Sequence, residues 1–187
     1  KQWSTLSNDL IHRICTLRPD NFVVFGQLPQ CPGVSPKNCI PELERLVKLG
    51  FVGVNLNPDP SGGYWTGPPL TDRHWYPIYE KLCELNVPAM IHVTSCCNPN
   101  FHHTGAHSIN ADTAAFMQLI QGNLFKDFPD LKFVIPHGGG AVPFHWGRYR
   151  GLCLSIKKIP LAEHVMQNVY FDTCVYHQPG IDLLTTV

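Results

Sequence analysis

Two apolar runs in this chain each end in a histidine. Ala89-Met90-Ile91 leads into His92, and Lys132-Phe133-Val134-Ile135-Pro136 leads into His137, which opens His137-Gly138-Gly139-Gly140. Neutral imidazole is a favoured metal ligand, and its pKa near neutrality also suits it to move protons. The glycines after His137 tolerate positive φ and let other groups approach the backbone closely. His92 therefore reads as a candidate metal ligand and His137 as a candidate catalytic acid or base. The plain structural alternatives are a histidine bonded to a backbone carbonyl and a polar residue in a glycine-rich turn.

Other polar residues fall at the ends of similar runs. Asn55 and Asn57, in Asn55-Leu56-Asn57-Pro58-Asp59-Pro60, could contact substrate or form an Asx turn. Asp172-Thr173-Cys174-Val175-Tyr176-His177 closes the last apolar run, so Cys174 and His177 are candidate pocket residues. Arg148 could clamp a carboxylate with both arms of its guanidinium, or make only a surface ion pair. Cys96 and Cys97 are adjacent, which is not the spacing of a zinc-binding cysteine pair, and they read as free loop thiols. His102, His103 and His107 form a histidine-rich loop; some of them could reach the site, though most loop histidines are simply solvated. The set is incomplete: catalytic zinc usually takes three protein ligands and a water, and no acidic ligand is evident beside His92.

The elements that must position these residues alternate. Five apolar or β-branched runs, over 22–26, 51–56, 89–94, 132–136 and 169–174, predict strands without strict polar alternation, as in a parallel sheet buried on both faces. They start roughly 30–40 residues apart, enough for helical crossovers. Helices are predicted around Leu6, Leu10, Ile11, Ile14 and Leu17; over 41–49, ending at Gly50; from Thr71 through Leu85; after a cap at Asp112; and from near Pro143 through Leu152. The class is α/β, either an open doubly wound sheet or a (β/α)8 barrel, and both bind ligands at the C-terminal ends of strands. No G-x-G-x-x-G follows the first strand, which weakens a dinucleotide reading. Residues 1–187 read as one domain.

The composition fits a globular domain. Hydrophobic residues make up 44% of the chain, and 14 basic residues balance 14 acidic ones, so nothing marks it for nucleic acid or anionic membranes. No apolar run approaches the roughly 18 residues of a membrane span, and no signal peptide is evident. With eight scattered cysteines and no secretory signal, the expectation is a cytoplasmic protein with reduced thiols.

Several blocks together carry a resemblance. Gly53-Val54-Asn55-Leu56-Asn57-Pro58-Asp59-Pro60, Val87-Pro88-Ala89-Met90-Ile91-His92-Val93, Asn110-Ala111-Asp112-Thr113, Ile135-Pro136-His137-Gly138-Gly139-Gly140-Ala141-Val142-Pro143 and Phe171-Asp172-Thr173-Cys174-Val175-Tyr176-His177-Gln178-Pro179-Gly180 follow one another in order. The chain resembles the amidohydrolase superfamily, in the branch that includes aminocarboxymuconate-semialdehyde decarboxylase. That resemblance implies a (β/α)8 TIM barrel with one divalent metal, usually zinc, with manganese as the alternative. It places His92 as the metal ligand of the fifth strand and His137 as the catalytic histidine of the sixth. The five strands would then be the third to seventh, with the first two and the last missing. The family's His-x-His pair and last-strand acid have no counterpart here. On that reading the chain is an internal fragment of a longer barrel, inactive alone. Ser108 stands where the resemblance implies a tyrosine.

The activity implied is a metal-dependent lyase reaction, the addition of water to a small unsaturated di- or tricarboxylate in aromatic-compound degradation. His137 would shuttle the proton, and Asn55, Arg148, Cys174 and His177 would contact substrate. Non-oxidative decarboxylation or hydrolysis on the same scaffold is the alternative, and a non-catalytic remnant or binding module is the reading from another class. A homo-oligomer is compatible with either.

Overall fold

The computed structural model describes residues 2–187 and contains five short strands, each entered after a helix or helical turn. Helix α1 (Gln2–Leu17) precedes β1 (Phe25–Gln27); α2 (Ile40–Lys48) precedes β2 (Gly53–Leu56); α3 (Tyr76–Leu85) precedes β3 (Ala89–Ile91). Then come α4 (Ser108–Gln121), α5 (Leu124–Asp127), β4 (Phe133–Ile135), α6 (Trp146–Ser155), α7 (Leu161–His164), β5 (Val169–Phe171) and α8 (Gln178–Leu184). Local chemistry sets several ends. The Asp72 carboxylate accepts the His74 amide at 2.8 Å and starts the turn into α3, while Asn86 ends α3 in the left-handed conformation at φ 51°. Gly50, at φ 88°, follows α2 as predicted.

All four strand pairs are parallel, and the order across the sheet is β1-β2-β3-β4-β5. A doubly wound sheet reverses its direction of growth once, which puts helices on both faces. Here the order never reverses, so right-handed crossovers place the helices that connect the strands on one side, as in the arc of a barrel, while α1 lies along the free edge of β1. The two alternatives left open by the sequence are decided by this order.

Side chains on the two faces differ accordingly. Val54, Leu56, Ala89, Ile91, Phe133, Ile135 and Val169 are buried under the helices, where Tyr79, Phe116 and Phe133 are the largest fully buried side chains. The opposite face carries the row Gln27, Asn55, Met90, Val134 and Tyr170, brought side by side by the register. None of this row is fully buried, so the expectation of strands buried on both faces is corrected. The row is the concave side of the arc, and a polar residue on it faces a cavity instead of a core.

Three further expectations shift. The first strand begins at Phe25, not Phe22, because pairing with the next strand starts only where Val52 donates to Val24 O; Phe22 and Val23 are exposed. The fourth helix begins at Trp146, three residues past Pro143, after a turn closed by the His145 amide on Ala141 O and Val142 O. In α1 the apolar positions Leu6, Leu10, Ile14 and Leu17 face solvent with Trp3, and only Ile11 of the predicted set packs on the core.

A buried polar residue anchors α1 instead. The fully buried Asn8 accepts the Gln27 amide at 2.7 Å and donates to Gln27 O at 3.0 Å, giving β1 both partners an adjacent strand would give. Asn8 also donates to Glu42 at 2.8 Å, and Arg45 grips the same carboxylate at 3.0 and 2.6 Å. Arg45 holds the Glu42 carboxyl below the ordinary range. Replacing Asn8 by Ala orphans two backbone groups of Gln27. We expect Asn8→Ala to cost about 2–4 kcal/mol in denaturant unfolding, from the orphaned groups; the exposed neighbour Ser7→Ala should stay within about 0.5 kcal/mol.

Candidate functional site

His92 extends the concave face one step past Met90, because side chains two residues apart share a face. Its amide still donates to Leu56 O at 3.0 Å, which keeps it in the sheet's plane. The ring Nδ1 lies 2.7 Å from Val93 O. A carbonyl can only accept, so Nδ1 carries the hydrogen and Nε2 is left with a free lone pair, the form in which histidine binds metals. His92 shares one cavity of about 90 Å³ with Gln27, Gln30, Asn55, Asn57 and Thr94. A second, wider recess is lined by Asn55, His92, Ser95 and His103. In both, Asn55 stands beside His92, and its buried Oδ1 has no hydrogen-bond partner among the described residues. Asn57 is different: its Oδ1 accepts the Asp59 amide at 3.0 Å and its Nδ2 donates to Thr94, so the Asx-turn reading holds there.

His137 is delivered by a strained loop. Four consecutive residues have positive φ: His137 at 52°, Gly138 at 64°, Gly139 at 79° and Gly140 at 65°. Glycine takes this conformation freely, whereas histidine loses about 1–2 kcal/mol in it. Two neighbours hold the loop. The Asp172 carboxylate, just beyond β5, accepts the Gly138 amide at 2.9 Å and the Cys174 amide at 3.1 Å. From the other side, Thr113 of α4 accepts the Ala141 amide at 3.0 Å while donating to Ile109 O at 2.8 Å. The fit is close: a Cβ on Gly140 would lie 2.7 Å from both Ile109 O and the Thr113 hydroxyl.

That contact carries Asp112 to the histidine. Asp112 Oδ2 is 2.8 Å from His137 Nδ1, and the carboxyl is 1% exposed. Burial pushes its pKa up to about 8, with the nearby charge of Asp172 adding to the rise. Asp112 is not the helix cap the sequence suggested. Helix α4 begins at Ser108, and Asp112 lies inside it on the buried face with Ala115, Phe116 and Leu119. An acid inside an apolar helical stripe is the signal in the sequence that could have found it. The rings of His92 and His137 lie 5.2 Å apart, centre to centre. With Nδ1 engaged, Nε2 is the His137 nitrogen left to meet a ligand.

The structure thus brings His92, His137 and Asn55 together, and adds Asp112, read from the sequence as a helix cap, and Asp172, which the sequence placed only at the end of the last apolar run. The cavities around His92 are lined by neither Arg148, Cys174 nor His177 among the described residues. Arg148 is exposed on α6, Cys174 donates to the Tyr176 hydroxyl at 2.9 Å, and His177 is exposed at the start of α8. His107 is buried with Nε2 unpaired, and burial lowers its pKa. As a metal ligand His92 fits, with its lone pair set free by Val93 and an orphan oxygen beside it. Among the described residues no group of three or more histidines, cysteines or acids could complete the donor set.

Two outcomes follow from this geometry. Gly140→Ala should destabilise by about 2–4 kcal/mol, combining the left-handed backbone with overpacking. Gly147→Ala, inside α6 with open space at its Cβ, should be neutral or stabilising by up to about 1 kcal/mol. Paired thermal melts check both. For Asp112 the folded state keeps a proton that the unfolded chain, near pKa 3.9, has already released. Stability of metal-free protein should therefore fall as pH rises from about 4 to about 8. Asp112→Asn should flatten that decline in melts across the range.

Comparison with known proteins places the chain. The amidohydrolase family model matches residues 1–187. A 2-keto-4-carboxy-3-hexenedioate hydratase of Sphingobium sp. is 60% identical over 186 residues, 99% of this chain and 54% of its own length. A crystal structure of 4-oxalomesaconate hydratase from Rhodopseudomonas palustris superposes with a TM-score of 0.92 at 65% identity, covering 100% of this chain and 54% of that one. A dihydroxybenzoic acid decarboxylase from Polaromonas sp. JS666, with bound manganese and 2-nitroresorcinol, shares the fold at TM-score 0.75 and 23% identity over 98% of this chain and 60% of that one. The chain spans about half the length of the curated relatives it matches. No helix among the described residues is long and apolar enough to cross a membrane. Matched along its whole length, the chain belongs to the amidohydrolase family.

Proposed function

We propose that this chain supplies the third to seventh strands of a longer (β/α)8 barrel, a metal-dependent hydratase of aromatic-compound degradation. Its reaction would add water across the carbon–carbon double bond of a small unsaturated di- or tricarboxylate. The observation that carries this reading is the pair of strand-end imidazoles 5.2 Å apart, each with one nitrogen committed to the protein and Nε2 left over. Similarity to two hydratases at 60% and 65% identity supports the choice of reaction. The cofactor proposed is zinc, with manganese as the alternative, and His92 Nε2 would be one of its ligands. When bound, such an ion supplies Lewis acidity toward substrate or water.

The chain's own residues do the rest. His137 Nε2 gives or takes the proton that addition of water requires, at a place fixed by the clamped glycine loop. A residue that does this typically contributes about 10²–10⁴-fold to rate. Asn55 is the substrate contact with the strongest support, because its buried Oδ1 has no partner and so favours a donor from the ligand. Its amide hydrogens suit a carboxylate oxygen. Arg148 is proposed as a carboxylate anchor at the rim, with Cys174 and His177 on the loop after β5 as further substrate contacts. The protein is proposed to be cytoplasmic and capable of self-association.

In the complete protein His137→Asn should lower turnover by about 10²–10⁴-fold while metal content stays near one equivalent. Unchanged turnover would remove His137 from the chemistry. Chelation should abolish activity and zinc or manganese should restore it. Incubation with unsaturated tricarboxylates should consume substrate without releasing carbon dioxide; stoichiometric release would assign a decarboxylase instead.

A further inference from the structure

We propose that Asp112 is the positioning residue for His137, holding the imidazole by Nδ1 so that Nε2 alone exchanges protons with the substrate or water. This rests on the proton-shuttle reading of His137 and deepens it.

Three observations meet at this pair. First, the bond is short and buried: Asp112 Oδ2 lies 2.8 Å from Nδ1, and the carboxyl is nearly closed to water. Hydrogen bonds to charged groups in such surroundings are the strong ones. Second, Asp112 has no other side-chain partner among the described residues, although a carboxylate accepts at both oxygens. A buried acid placed for stability alone would be expected to bond backbone amides or a cation, as Glu42 does with Arg45. Third, the position of Asp112 is set by the same contact that shapes the histidine's loop. Ile109 O and Thr113, on either side of Asp112 in α4, touch Gly140 and Ala141. The helix that carries the acid and the loop that carries the imidazole are therefore held against each other by these contacts as well as by the Asp112–His137 bond itself.

The chemistry of the pair follows by counting protons. With one proton between them, Nδ1–H donates to the carboxylate and Nε2 presents a lone pair. Adding a second proton gives Nε2–H, and the proton in the Asp112–Nδ1 bond then sits on either atom without changing what the substrate meets. In both states the same ring nitrogen faces outward and the ring does not turn. The carboxylate also offsets the positive charge that His137 would otherwise carry alone while protonated. A carboxylate that orients a catalytic imidazole and stabilises its charged form acts in this way in hydrolytic triads. An amide in its place can instead donate to Nδ1 and favour the opposite tautomer.

The test uses the complete, metal-loaded protein and the nearly isosteric Asp112→Asn. Turnover should slow by about 30-fold or more, a loss in the direction seen when other orienting acids are replaced. The KM should change less than about threefold, with metal content close to the parent. A merely structural role would leave the turnover of correctly folded molecules at the parent level. If Asp112→Asn keeps turnover within about threefold of the parent while His137→Asn is inactive, the positioning role is overturned and the proton shuttle stands. If both variants keep full turnover, both fall. Should Asp112→Asn fail to fold, proton–nitrogen NMR of the parent protein decides. A strongly downfield proton bonded to His137 Nδ1 supports the pairing, and its absence overturns it.

Discussion

The site depends on one close backbone approach, that of Gly140 to the first turns of α4. Ile109 O and the Thr113 hydroxyl occupy the space that any side chain on residue 140 would need. This contact decides where α4 lies, and α4 carries the acid that meets His137. It also holds the end of a left-handed stretch that His137 would leave in isolation, since a non-glycine residue in that conformation is strained. The second fastening, from Asp172 to the Gly138 amide, ties the same loop to the end of β5. The loop is thus over-determined, clamped from both neighbouring units of the fold. A strained backbone persists only where the surroundings supply such a clamp.

How much of this is legible in the sequence depends on how far apart the partners lie along the chain. The five strands are visible because each is a short apolar run, and the boundaries move by a few residues where pairing begins or ends. His92 and His137 are visible because they stop those runs. The direction in which strands add to the sheet is not a local property, so residue patterning leaves barrel and open sheet undecided until the resemblance, and then the strand order, chooses between them. Asp112 is misread because an acid near a helix start is usually a cap. Its partner lies 25 residues away in the next unit, and no periodicity reports that.

Helix α1 shows the opposite failure. Its leucines and isoleucines have helical spacing, and the helix forms, yet most of them stand in solvent. What attaches α1 to the sheet is polar: Asn8 imitates a strand's peptide against Gln27 and reaches Glu42, which Arg45 neutralises. A buried, fully paired amide specifies one register, because sliding the helix by a residue would break three bonds at once. Apolar spacing predicts that a helix exists; here Asn8, with Thr5 bonded to Glu42 and Asp9 to Arg45 beside it, determines where it sits.

Asp172 links the mechanical and electrical sides of the site. Its carboxyl oxygen straps the loop by accepting two amides, which fixes the group in place. That same fixed charge lies close enough to Asp112 to help raise its pKa to about 8. A second negative charge nearby disfavours ionisation of a buried acid, so Asp112 holds a proton at a pH where an isolated carboxylic acid would not. The strap therefore biases the protonation of Asp112, the partner of the histidine it holds. The geometry of the His137 loop and the proton affinity of Asp112 are consequently coupled: a change that loosens Asp172 from Gly138 would both relax the loop and lower the retention of that proton.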